Sequence, residues 1–187
     1  MKVLQRKFYI NDTKQVAKDL LGKALVRNIG KYVLSGIITE TEAYKGKNDP
    51  ASHAARKKTE RNKIMFSEVG HAYVYFTYGM HYCFNVVAKK ENDESGAVLI
   101  RAIYPRQGIK RMIKNRKTDI IPNLTNGPGK LTQAMEITLK QYNLDLTRNT
   151  SLFIVDSKKP RKIIAKPRIG IKEGTDKLWN FSCDSYF

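Results

Sequence analysis

Glu42 lies in the run SGIITETEAYKG, two residues from Glu40 and two from Tyr44. In an extended strand, period 2 places Ile38, Glu40, Glu42 and Tyr44 on one face and Ile37, Thr39, Thr41 and Ala43 on the other. Both faces mix polar and apolar residues, which suits a strand lining a pocket better than a plain core strand. Asn85 in CFNVV and Arg101 in VLIRAI also interrupt strand-like apolar runs. A buried amide needs partners, and an unpaired buried guanidinium is very costly. A carboxylate such as Glu42 is therefore expected at Arg101, directly or through a water. A carboxylate in such a place can hold and polarise water as a general base. A structural ion pair is the alternative, and Glu40 on the same face keeps a glycosidase-like pair of carboxylates open.

His53, in DPASH, reads equally as a general acid, a stacking partner or a core histidine. His71 and His81 lack the spacing to it that a metal site would need. Tyr44, Tyr73, Tyr75, Tyr78 and Tyr82 are strand aromatics by position, and for Tyr73 and Tyr82 packing is the simplest role. Tyr78 is different, because it falls at the tip of a predicted hairpin with no core to fill. An aromatic there suits stacking on unpaired bases or wedging into a duplex.

Charge points the same way. The chain has 187 residues with 35 Lys+Arg against 17 Asp+Glu, a formal net charge of +18. Self-repulsion of that size is usually tolerated because the partner is a polyanion, with nucleic acid as the leading reading. No long apolar run or basic amphipathic terminus supports a membrane. Cys83 and Cys183 lack the spacing of a disulfide framework or zinc site, and Cys83 reads as a small core residue. The N-terminal MKVLQRKFYINDT lacks a signal-peptide core, so an intracellular, reducing setting is expected.

The elements that must position these residues follow in order. Asp12 or Thr13 caps a helix bearing Val16, Ala17, Leu20 and Leu21, stopped by Gly22. A strand over 25–28, a turn at Gly30 and Lys31 and a long strand from Tyr32 to Tyr44 make a hairpin. Asn48-Asp49-Pro50 breaks it, and residues 51–68 are irregular. Strands over 72–77, 82–88 and 98–103 form an antiparallel meander, its last two members joined by the polar loop Lys89 to Ser95. A basic helix around Ile109, Met112 and Ile113 precedes a second helix opened by NGPGK, its core face Leu131, Ala134, Met135, Leu139 and Tyr142. That glycine-rich start offers N–H groups to an anion, though it is not a P-loop. Short strands are expected around 152–155, 162–165, 169–171 and 179–181, all in one domain, 1–187.

Six ordered stretches, GIITETEAYKGKNDPASHA, TERNKIMF, YVYFTYGMHYCFNVV, GAVLIRA, NGPGKLTQA and PRIGI, together resemble the alkyladenine (3-methyladenine) DNA glycosylase family over most of the chain. The resemblance implies an α+β fold, a curved, mainly antiparallel open-barrel-like sheet flanked by helices, with a protruding DNA-inserting β-hairpin. It implies a monofunctional glycosylase of base excision repair, acting as a monomer without metal or cofactor. Such an enzyme flips a damaged purine from double-stranded DNA through the minor groove and hydrolyses its N-glycosidic bond, leaving an abasic site. Position by position, Glu42 matches the water-activating base and Arg101 the arginine that helps hold that water. The backbone carbonyl of Ile169 matches a third water ligand. Tyr44 and Tyr75 match the aromatics that sandwich the base, His53 the imidazole closing the pocket and Asn85 the residue at the purine minor-groove edge. Tyr78 matches the intercalating tyrosine. The Lys89–Ser95 loop and the end LWNFSCDSYF follow the family pattern less closely.

Two other classes compete on the residues alone. A non-catalytic DNA-binding module leaves Glu42 and Arg101 without a purpose. A metal-dependent nuclease needs more clustered carboxylate than Glu40 and Glu42 supply.

Overall fold

The longest strand organises the molecule. The structure is a computed structural model describing residues 2–183, in which β2 (Tyr32–Lys45) pairs along one edge with β5 (Gly96–Gln107). Its other edge is shared: β1 (Ala24–Ile29) takes the first half, and β8 (Asn180–Cys183) pairs with Glu40–Glu42. Beyond β1 lies β6 (Leu152–Val155), and beyond β8 lies β7 (Ile163–Lys166). Beyond β5 come β4 (His81–Val87) and then β3 (Ala72–Thr77). Every pairing is antiparallel, and the eight strands make one curled sheet in an α+β fold.

Helix α1 (Thr13–Leu20) starts where the sequence predicts, with Asp12 Oδ1 accepting from the Lys14 amide at 2.9 Å. It lies against β2 and β5, while α3 (Pro128–Ala134) lies against β4 and β5 and contacts α2 (Ile109–Arg116). Between helices and sheet sits the main core, which includes Leu20, Leu25, Ile38, Val74, Phe84, Ile100, Met112 and Leu131. A smaller cluster of Ala54, Ile64, Met65, Tyr73, Val87 and Ala97 packs separately under the loop that carries His53.

Two bulges in the β2–β5 ladder correct the period-2 reading. Ile38 faces Ile103, Glu40 faces Ala102 and Thr41 faces Ile100, so Thr39 is extra on β2 and Arg101 is extra on β5. A bulge shifts the phase of every residue after it. Ile38 thus belongs to the helix-side core with Ala43 and Thr41, whose Oγ1 donates to the Ala17 carbonyl at 2.8 Å. Glu40, Glu42 and Tyr44 are left on the opposite side. The extra residue at 101 is the arginine, turned toward them.

Other expectations need smaller corrections. The second helix does not run to Tyr142; it stops at Ala134, Glu136 has φ +52°, and a one-turn 3-10 segment (Leu139–Gln141) follows behind a Thr138 capping box. Leu139 is consequently exposed. Residues 169–171 form no strand but an irregular stretch that enters the site.

Candidate active site

Glu42 is fully buried, yet every donor it needs is present. Its Oε1 accepts from the Ile169 amide at 2.8 Å and from Asn180 Nδ2 at 3.0 Å. Its Oε2 accepts from the Tyr44 hydroxyl at 2.8 Å and from Arg101 Nη1 at 3.3 Å. Arg101 Nε also donates to Glu40 Oε1 at 3.2 Å, and Asn180 Nδ2 donates to the same oxygen at 2.8 Å. One guanidinium and one amide therefore clamp both carboxylates, and of the two arrangements expected for Arg101 and Glu42, direct or through a water, the direct one is present. A buried carboxylate is tolerable only with such satisfaction. Burial, and then the neighbouring Glu42 charge, raise the Tyr44 pKa, so its hydroxyl stays protonated and donating.

Two residues the sequence reading passed over hold this corner together. Arg168 and Asp49 are both fully buried and form a bidentate pair, with both N–O distances at 2.7 Å. Arg168 Nη1 also donates to the Ala43 carbonyl at 3.0 Å, and its guanidinium lies between the Tyr44 and Trp179 rings, 4.8 and 5.1 Å from their centroids. The pair ties the end of β2 to the segment whose next amide, that of Ile169, bonds Glu42. This contact comes from the Ile169 N–H, whereas the resemblance assigns the water contact to its carbonyl.

Beside Glu42 opens a cavity of about 650 Å³, whose lining includes Tyr44, His53, Tyr75, Asn85, Arg101 and Ile169. These six expected site residues thus converge, although they come from four strands and two loops. Asn85 is buried and spends its Nδ2 on the Tyr73 carbonyl at 3.0 Å across the β3–β4 pair. Tyr73 packs in the core as expected, but its hydroxyl lies 2.9 Å from His53 Nδ1. The His53 ring also meets Tyr75 edge-on, with centroids 4.7 Å apart. Asn62 fixes the His53 loop, donating to the carbonyls of His53 at 2.6 Å and Lys57 at 2.9 Å. Burial, and secondarily the Arg61 charge, push the His53 pKa down to about 4, which leaves the ring neutral near pH 7 and weakens its reading as a general acid.

Tyr78 sits at the β3–β4 turn with φ +51°, followed by Gly79 at +65°. Left-handed backbone is routine for glycine and costly for tyrosine. The Tyr78 side chain is 80% exposed, flanked by exposed Met80 and Phe76. Gly129, in the first turn of α3, has a packing reason: a Cβ there would lie 2.9 Å from His81 Cγ, whereas one at Gly127 would meet nothing within 4 Å. Arg56, Lys57 and Lys172 line the cavity and contribute positive charge there. Among the described residues no helix is long and apolar enough to cross a membrane.

Comparison with known proteins identifies the family. Residues 7–186 match the family model described as Methylpurine-DNA glycosylase (MPG). A Prosthecochloris aestuarii protein named "Putative 3-methyladenine DNA glycosylase" is 50% identical over 177 residues, 93% of this chain and 84% of its own length. A Clostridium novyi protein of the same name is 46% identical, covering 97% of this chain and 94% of its own. One from Chlorobium phaeobacteroides is 42% identical over 100% of this chain and 95% of its own. The chain belongs to the methylpurine-DNA glycosylase family.

Proposed function

We propose that this DNA glycosylase, a hydrolase of N-glycosyl bonds in DNA repair, excises alkylated purines such as 3-methyladenine with a water activated by Glu42. The observation that carries the reading is a fully buried carboxylate with four donors, three of which, Tyr44, Arg101 and Ile169, line an aromatic-walled cavity. Those four donors nearly exhaust the lone pairs of Glu42. The Arg101 contact is the longest, so the reactive water enters there, accepting from Arg101 Nη1 and donating to Glu42 Oε2.

The chemistry then follows. As the C1′–N bond breaks, its electron pair leaves with the base and positive charge builds on the sugar. The buried Glu42 carboxylate stabilises that charge in a site where electrostatics are strong. The water oxygen bonds C1′ while its proton passes to Glu42. The Ile169 N–H, Asn180 and Tyr44 keep the carboxylate aimed during the transfer. Tyr44 and Tyr75 hold the flipped base by stacking, neutral His53 closes the pocket edge, and Asn85 meets the minor-groove edge of the purine.

Flipping costs a few kcal/mol and is cheapest for damaged or mispaired bases. Tyr78 enters through the minor groove and fills the gap in the stack. The protein acts as a monomer, intracellularly, where its DNA substrate is, and needs no cofactor. A metal-dependent nuclease fits less well, because the Arg101 guanidinium already bonds both carboxylates. Incubation of the protein with a 3-methyladenine duplex in excess EDTA should release free base and leave the strand intact until alkali treatment. Direct strand cleavage abolished by EDTA would replace this reading with the nuclease.

A further inference from the structure

The two aromatic walls of the cavity are backed differently. Tyr44 and Tyr75 line the cavity, while Arg168 and Arg61 do not. Their guanidinium carbons nonetheless lie 4.8 Å from the Tyr44 centroid and 4.7 Å from the Tyr75 centroid, so each stands behind its ring. Behind Tyr44 the charge is cancelled, since Asp49 grips Arg168 with two 2.7 Å bonds. Behind Tyr75 it is not. Among the described residues no carboxylate lies within ion-pair distance of Arg61, whose contact with the pocket wall is the Tyr75 ring itself.

A tyrosine face attracts a cation through its π density. A fixed cation on the far face draws that density away and repels a second positive charge across the ring. We infer that Arg61 sets the charge selectivity of the pocket, weakening its hold on a cationic purine relative to a neutral purine of the same shape. The inference rests on the reading of Tyr75 as a base-stacking wall. That the charge reaches the cavity is supported by His53, where it adds to burial in disfavouring the imidazolium. Arg61 is exposed, so the effect should shrink as salt rises.

The test compares two duplexes that resist cleavage. One carries 2′-fluoro-7-methylguanine, a cation, and the other 2′-fluoro-7-deaza-7-methylguanine, its neutral counterpart. Dividing the two Kd values cancels any phosphate contact that Arg61 makes with both. Arg61→Gln should shift this ratio toward the cation by about threefold or more, and Arg61→Lys should keep most of the wild-type ratio. A ratio unmoved by Arg61→Gln, or moved equally by Gln and Lys, overturns the inference. If the wild type prefers neither lesion over undamaged duplex, the base-pocket reading itself fails and takes the inference with it.

Discussion

Glu42 and Tyr78 lie at opposite extremes of solvation, one fully buried and the other 80% exposed. The carboxylate is held by donors from four places in the chain, at residues 44, 101, 169 and 180. The tyrosine depends only on a tight turn between paired strands, with two successive residues in left-handed backbone. One region is complete before any substrate arrives. The other holds exposed apolar surface and a strained residue, worth roughly 1–3 kcal/mol, without an internal partner that would explain either. This division suits the proposed mechanism, in which the chemistry is preorganised and the exposed tip enters a duplex.

If the buried corner is one cooperative unit, the largest effect should come from breaking its ion pair. Asp49→Ala leaves the Arg168 guanidinium buried and uncompensated and frees the Lys45 amide, which donates to Asp49 Oδ2 at 3.0 Å. The cost should be about 3 kcal/mol or more, a fall in Tm of roughly 6–12 °C for a chain of this size. Scanning calorimetry checks it, and a change of less than about 2 °C would show that the corner is not a unit.

The tip should behave in the reverse manner, with little effect on stability and a clear effect on function. Tyr78→Ser should leave Tm nearly unchanged and lower flipping of ethenoadenine in duplex by about tenfold, the equivalent of lost base–aromatic stacking. In single-stranded DNA the loss should be smaller, because no stack must be held open. Fluorescence of the flipped base reads both contexts. Equal losses would place Tyr78 in packing rather than insertion.

The smallest effect concerns His53. Its native pKa of about 4, against the usual 6.5, means that the folded protein binds fewer protons than the unfolded chain between those values. The stability contributed by the neutral ring is therefore complete above about pH 6.5 and declines as pH falls toward 4. His53→Gln should lose Tm less steeply than wild type over that window. An NMR titration placing the His53 imidazole near 6.5 would remove both the pH effect and the neutral-histidine role.

Much of this was legible in the sequence because it depends on local or alternating patterns. The α1 cap, the hairpins, and the polar intrusions Asn85 and Arg101 in apolar strands all announce themselves that way. What period 2 could not show was the pair of compensating bulges, which place Ile38 in the helix-side core and turn Arg101 toward the carboxylates. Bulges change phase without leaving a composition signal. Asp49 read as a strand breaker beside Pro50, and Arg168 as one more cation in a basic chain. Their pairing spans 119 positions, and Asn180 reaches Glu42 across 138. Such contacts follow from the closing of β8 onto β2, which no window of sequence contains.

The central claim is that Glu42 performs the chemical step rather than serving as a structural anion. Glu42→Gln keeps the side chain's shape while removing its charge and basicity. Single-turnover base release from a 3-methyladenine duplex should fall by about 10²–10⁴-fold or more. Affinity for a duplex with an abasic-site analogue should stay within a few fold, since most of it comes from phosphate contacts. Release within tenfold of wild type, by a variant that still binds the analogue, would contradict the claim.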